Sequence, residues 1–162
     1  MTITPEDLGL LIKKTQHAHH RCIDERLASS SMSLVQWNAL REIQRNPEQP
    51  LRQLARLTFN SDQAFGALVT RLMARGYVKR RQGFGRATIH ELTALGKSSL
   101  READEVVHEV LTASFAGLST QERQTLHSML SKVLQAQRDL TLDAPDDAPV
   151  PKRRQSRGSR EF

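Results

Sequence analysis

Residues 50–90 carry eight Lys and Arg (Arg52, Arg56, Arg71, Arg75, Lys79, Arg80, Arg81, Arg86) against one acid, Asp62, a local balance of +7 in a chain whose formal net charge is +6. Cationic groups concentrated in one segment displace counterions from nucleic-acid phosphates. A solvated basic face is the blander reading, but helical, turn and strand signals alternate beneath these charges, as in a binding surface built from several elements. A second cluster, His17-Ala18-His19-His20-Arg21-Cys22, holds the residue types of metal and redox chemistry. On a helix His17, His20 and Asp24 stand at i, i+3 and i+7 and can offer zinc three ligands, with His108 as a fourth. Histidines lining a helix interface are the stronger alternative. The third is an effector pocket in which His17, His20, Arg21, Trp37 and Arg41 meet a small aromatic, phenolic or acidic ligand. A sensing thiol at Cys22 needs access and a lowered pKa. Its place on an apolar stripe predicts a buried, inert thiol instead, and the chain has no second Cys to resolve a sulfenic acid.

Catalysis finds no support in these residues. There is no Gly-rich phosphate loop, nucleophile elbow, HExxH or paired-carboxylate arrangement, so the expectation is a protein that is not an enzyme and needs no cofactor or resident metal. The single Cys rules out an internal disulfide framework. No apolar run approaches the roughly 18 residues that span a bilayer, and the N-terminus carries acids where a signal peptide needs basic charge. A cytoplasmic protein without a membrane partner is expected.

The elements that must position these residues are mostly helices. Aromatics make up 4% of the chain and Gly and Pro are few, which disfavours sandwiches and barrels. Thr4-Pro5-Glu6-Asp7 announces a first helix with a hydroxyl cap, Pro at its first position and acids in its first turn. Its stripe is Leu8, Leu11, Ile12, Thr15, His19, Cys22, Ile23 and Leu27. Ser33 and Gln36 form a capping box for a second helix that carries Leu34, Trp37, Leu40 and Ile43 and ends at Asn46-Pro47.

Within the basic segment, Pro50 opens a short helix with Leu51, Leu54, Ala55 and Leu57 facing inward. Asn60-Ser61-Asp62-Gln63 then supplies a turn and a cap for a helix over 61–75, with stripe Phe65, Leu68, Val69, Leu72 and Met73, ended by Gly76. Two short helices about a polar turn read as a helix-turn-helix. From Tyr77 the period becomes strand-like, giving a basic two-stranded ribbon that turns at Gly83-Phe84-Gly85. Thr93 caps a long fifth helix, and Ser119-Thr120-Gln121-Glu122 boxes a sixth with Leu126, Met129, Leu130, Val133 and Leu134 on one side. The apolar stripes of the first, fifth and sixth helices cover one another only partly, which predicts a homodimer. Residues from Asp143 onward lack an apolar period and read as a disordered polar and basic tail.

The order of elements, together with Leu34-Val35-Gln36-Trp37-Asn38-Ala39-Leu40, Gln53-Leu54-Ala55, Val69-Thr70-Arg71-Leu72, Gly76-Tyr77-Val78, Leu92-Thr93-Ala94-Leu95-Gly96 and Leu118-Ser119-Thr120-Gln121-Glu122, resembles the MarR family of bacterial transcription regulators. The resemblance covers residues 5–140. It implies a mainly α fold with a small β-wing: a dimerisation helix over 1–30, a winged helix-turn-helix over 31–93, dimerisation helices over 94–140 and a tail over 141–162. It further implies a homodimeric repressor of a palindromic double-stranded DNA operator, released by a small-molecule effector. The DNA-facing residues would be Arg52, Ser61, Asp62, Gln63, Gly66, Ala67, Thr70, Arg71, Arg80, Arg81 and Arg86, with Ser61, Gln63 and Thr70 as the direct readers. Arg86 falls on the position of the family's minor-groove arginine, while Phe84 stands where the family commonly has a positioning acid. A redox- or metal-responsive regulator acting through Cys22 or His17 and His20, and a DNA-architectural winged module, are the alternatives.

Overall fold

The computed structural model describes residues 2–83 and 88–142, with side chains described to residue 137. The wing arginine Arg86, the Phe84-Gly85 turn and the tail beyond Leu142 lie outside the described residues. Contacts divide the chain into two compact units, residues 1–116 and 117–162.

In the first unit, α1 (Pro5–Leu27) starts with a full capping box, in which the Thr4 side chain accepts from the Asp7 N–H and Asp7 reaches back to the Thr4 N–H. A 3-10 turn (Ala28–Ser30) leads through Ser31, left-handed at φ 54°, to α2 (Leu34–Arg45), boxed by Ser33 and Gln36 as the sequence predicts. Next come α3 (Leu51–Leu57) and α4 (Asp62–Ala74), the latter with Ser61 at its N-cap and Arg75 at its C-cap. Strands β1 (Val78–Gln82) and β2 (Thr88–Leu92) pair antiparallel, with Val78 opposite Leu92 and Arg80 opposite His90. Last in the unit is α5 (Ala94–Ser114).

One core joins these elements. Ile23 and Leu27 of α1, Trp37, Leu40 and Ile43 of α2, Leu54 of α3, Phe65, Leu68, Val69 and Leu72 of α4 and Leu100, Ala103, Val107 and Val110 of α5 bury together. Only the last turns of α1 enter it, whereas Leu8, Leu11 (60% exposed) and Ile12 remain open. Two sequence expectations need correction. Leu57 is exposed, because α3 ends there and the chain turns away from the core. Cys22 is exposed as well: Ile23 and Leu27 carry the buried face of α1, His19 is half-buried, and Leu8, Leu11, Ile12, Thr15 and Cys22 are exposed among the described residues.

Two joints fix α4 and the strand pair to the rest of the unit. After Gly76 (φ 74°), the Thr93 hydroxyl donates to the Gly76 carbonyl at 2.6 Å, the Thr93 N–H donates to the Tyr77 carbonyl at 3.0 Å, and the same hydroxyl accepts from the Gly96 N–H. A Cβ at residue 96 would collide with the Tyr77 carbonyl, so only glycine permits this approach. Arg75 forms the second joint, donating to the Ser31 carbonyl (2.7 Å) and the Tyr77 hydroxyl (3.0 Å) with its guanidinium over the Tyr77 ring.

The second unit contains α6 (Thr120–Leu142). Ser119 and Glu122 make the expected capping box: Glu122 accepts the Ser119 hydroxyl and N–H, which holds its carboxyl below the usual range. Met129, Leu130, Val133 and Leu134 are all exposed along one side. Among the described residues no helix is long and apolar enough to cross a membrane.

Candidate nucleic-acid interface and effector cavity

Helix α4 divides cleanly into two faces. Phe65, Leu68, Val69 and Leu72 are buried, while Gln63, Ala67, Thr70 and Arg71 are exposed at three- and four-residue spacing on the opposite side. Ser61 accepts the Ala64 N–H at 3.2 Å and so starts the helix with free N–H groups nearby, a site suited to a phosphate oxygen. Gly66 borders open space, which lets this face come close to a partner surface. The Thr70 hydroxyl donates to the Gly66 carbonyl at 2.9 Å and is left as an acceptor, matched to the exocyclic amino groups of adenine and cytosine. Arg52 of α3 sits 3.6 Å from Asp62, an exposed pair across the helix-turn-helix.

The wing's basic residues separate by strand face. Lys79 and Arg81 share one face with Glu91, which takes Lys79 Nζ at 2.9 Å and Arg81 Nε at 3.1 Å. Arg81 also donates to Glu48 of the α2–α3 loop at 2.6 Å. The contact with Glu48 is the main cause of a raised Arg81 pKa, and the Lys79 bond is the main cause of a lowered Glu91 pKa. Arg80 points to the other face, is exposed, and makes no ion pair among the described residues. The sequence placed both Arg80 and Arg81 in the DNA-facing set; strand alternation puts them on opposite faces, but the acid that engages Arg81, Glu48, is thirty-three residues away and carries no local signal. Opposite Arg80, His90 is only 3% exposed and neither ring nitrogen has a hydrogen-bond partner among the described residues. Burial, and then the Arg80 charge, push its pKa down.

A cavity of about 450 Å³ opens between α1, α2 and the turn preceding α4, lined by Gln16, His20, Trp37, Asn38, Phe59 and Asn60 among others. Of the five residues predicted to meet an effector, His20 and Trp37 line it and the Arg41 guanidinium stands over the Trp37 ring at 5.0 Å. Arg21 pairs with Glu25 on the exposed side of α1, and His17 is exposed outside the lining. His20 is held by Asp24 at 3.0 Å, whose other oxygen accepts the Leu34 N–H at 2.6 Å, so one carboxylate orients the histidine and anchors the start of α2. Trp37 is fixed by its indole N–H donating to Asp104 of α5 at 2.8 Å. The zinc set does not assemble: among the described residues no three of His, Cys, Asp and Glu converge on a metal position. His19 instead lies 2.6 Å from the Ser114 hydroxyl with its ring edge-on to Phe115, and His108 lies 3.5 Å from Thr112.

Phe59 was not foreseen as part of any site. It is 94% exposed and sits at φ 56°, a left-handed conformation that costs a non-glycine residue roughly 1–2 kcal/mol. Its N–H donates to the Arg56 carbonyl and the Asn60 N–H to the Ala55 carbonyl, the bonding of a helix end that usually employs glycine.

Residues 30–95 match the family model described as MarR family. The chain shares the winged-helix fold of the solved MarR structures. The family is one of DNA-binding transcription regulators, and the match spans α2 to the start of α5, with both wing strands. No curated protein matches the chain. Among solved structures, apo MarR from E. coli is 24% identical with a TM-score of 0.69, covering 82% of this chain and 99% of its own. A cysteine-to-serine mutant of E. coli MarR complexed with operator DNA is 23% identical with a TM-score of 0.70, covering 78% and 93%. The Mycobacterium tuberculosis MarR family protein Rv2887, in complex with p-aminosalicylic acid, is 24% identical with a TM-score of 0.66, covering 78% and 97%. At these identities the structural likeness establishes the shared fold.

Proposed function

We propose that this protein is a cytoplasmic homodimeric repressor that reads a palindromic operator with α4 and the wing and releases it when a small aromatic or phenolic acid enters the cavity beside Trp37. The observation that carries the DNA reading is the division of α4, whose exposed side presents Gln63, Thr70 and Arg71 while its other side is locked into the core. Ser61, Gln63 and Thr70 contact base edges or the flanking phosphates, Gly66 and Ala67 allow close approach, and Arg52, Arg71 and Arg80 meet phosphates. Arg86, outside the described residues, is assigned to the minor groove. Asp62 acts through its pairing with Arg52.

Dimerisation is supported by the exposed apolar side chains of α1 (Leu8, Leu11, Ile12) and of α6 (Met129, Val133, Leu134), each set aligned at helical spacing. In this reading residues 1–30 and 94–140 build the dimer, 31–93 bind DNA and the segment from 141 is an appended basic tail. The effector reading draws on His20 and Trp37, two rings lining one cavity, on the Arg41 guanidinium stacked over the Trp37 ring, and on the p-aminosalicylic acid held by the M. tuberculosis relative.

Footprinting on DNA upstream of the protein's own reading frame tests the central statement. The expected result is a protected palindrome with half-site centres about one helical turn apart, and a base preference at defined positions that changes in Gln63→Ala and Thr70→Ala. Protection without base preference would make the protein an architectural DNA binder instead.

A further inference from the structure

We infer that Phe59 is a positioning residue that relays occupancy of the cavity to the recognition helix α4, an inference that rests on the cavity being the effector site. Three consecutive residues of the helix-turn-helix turn, Thr58, Phe59 and Asn60, line that cavity together with His20 and Trp37. The residue that follows them, Ser61, is the N-cap of α4. A ligand in the cavity therefore touches the turn itself, one residue from the start of the DNA-reading helix.

Phe59 makes the turn sensitive. Its positive φ is unfavourable for a bulky side chain, and its ring lies open at the cavity rim with no packing to compensate. Two backbone bonds hold it there, Phe59 N–H to Arg56 and Asn60 N–H to Ala55, along with the Asn60 side-chain amide donating to the Thr58 carbonyl at 2.9 Å and to its hydroxyl at 3.0 Å. An aromatic ligand against Trp37 offers the Phe59 ring a face to pack on. Turning the ring inward favours return of φ to its ordinary negative region, which breaks the Asn60-to-Ala55 bond and displaces Ser61 from its capping geometry. The ligand thus favours the turn conformation that fits DNA less well, as an effector must.

The test uses the full-length chain, salicylate as the probe, Trp37 emission as the binding signal and operator affinity as the output, in wild type, Phe59→Gly and Phe59→Ala. Glycine removes both ring and backbone penalty; alanine removes the ring alone. The expected Phe59→Gly protein melts at a higher temperature than wild type, binds operator within threefold of wild type when salicylate is absent, and still shows the Trp37 change. At saturating salicylate wild type loses about tenfold in operator affinity, whereas both variants lose less than twofold. Variants that lose the full tenfold while Trp37 reports saturation would overturn the relay and leave the effector site standing. Loss of the Trp37 response in the variants would make Phe59 a wall of the cavity and overturn the relay too. A wild type in which salicylate changes neither Trp37 emission nor operator affinity would remove the effector reading and the relay with it.

Discussion

Arg81 donates to Glu48 at 2.6 Å, tying the first wing strand to the loop between α2 and α3. An arginine engaged in this way, and also bonded to Glu91, has little left to offer a phosphate, whereas Arg80 on the opposite strand face is unpaired among the described residues. Arg80→Ala is expected to weaken all DNA sequences alike and lower the slope of log affinity against log salt by about one unit. Arg81→Ala should change that slope by less than half as much. Titrations at several salt concentrations check this, and equal slopes for the two variants would return Arg81 to the phosphate-contacting set.

His90 gives the fold a pH dependence of defined sign. Its pKa in the folded protein is lowered by burial and then by Arg80, so the unfolded chain takes up the proton first as pH falls below the ordinary value of 6.5. Stability is complete above that value and declines as pH drops from there toward the folded-state pKa. Urea unfolding at pH 7.5 and pH 5.5 should show the loss in wild type. His90→Leu, which removes two unpaired nitrogens, should be no less stable at pH 7.5 and should lose less between the two pH values.

Gly96→Ala is expected to destabilise the protein by about 1–3 kcal/mol, the usual range for forcing atoms into a packed site, because the new methyl meets the Tyr77 carbonyl rather than a movable side chain. Gly66→Ala, which faces open space on an exposed helix surface, should stabilise by up to about 1 kcal/mol. Chemical denaturation separates the two. A neutral Gly96→Ala would mean that the α5 start can withdraw from Tyr77.

Asp104→Ala leaves the Trp37 indole N–H without its acceptor. A cost of about 1–3 kcal/mol is expected, together with a shift in Trp37 emission that marks the altered hydrogen bonding. An unchanged spectrum would show that the bond does not form in solution.

Leu11→Glu and Leu134→Glu should each convert the protein to monomer in sedimentation at micromolar concentration, since a charge buried in an apolar interface is costly. Both side chains are exposed in the single chain, so the folded content of the monomer should survive in the circular dichroism spectrum. A wild-type monomer would discard the dimer proposal.

Much of the architecture was legible because it is written in short-range patterns. The capping boxes at Ser33 and Ser119, the left-handed Gly76, and the switch of period at Tyr77 each involve residues within a few positions of one another, and each reappears in the structure. The Leu92-to-Gly96 motif was recognisable as a pattern, but its cause, glycine against the Tyr77 carbonyl, needs two elements side by side. The site was less legible for the same reason. Glu48 on Arg81, Asp104 on Trp37, and Asp24 on the Leu34 N–H join distant or separately folded pieces. Cys22 was misjudged because a helical stripe specifies direction without saying which of its residues a partner reaches; Ile23 and Leu27 are buried and His19 is half-buried, while Cys22 between them stays exposed. Phe59 escaped notice because a phenylalanine after an apolar run reads as core, and nothing in its neighbours announces a left-handed backbone.

The Thr93 and Gly96 joint makes the exit of α4 and the start of α5 a single rigid corner. Helix α5 is therefore the arm of a lever whose short end is α4. At 1.5 Å per residue its 21 residues extend about 31 Å, so a tilt of only about 5° at its far end swings that corner by roughly 3 Å. That displacement is close to the axial spacing of one base pair, enough, under the proposed DNA-reading role of α4, to move it from one register to the next.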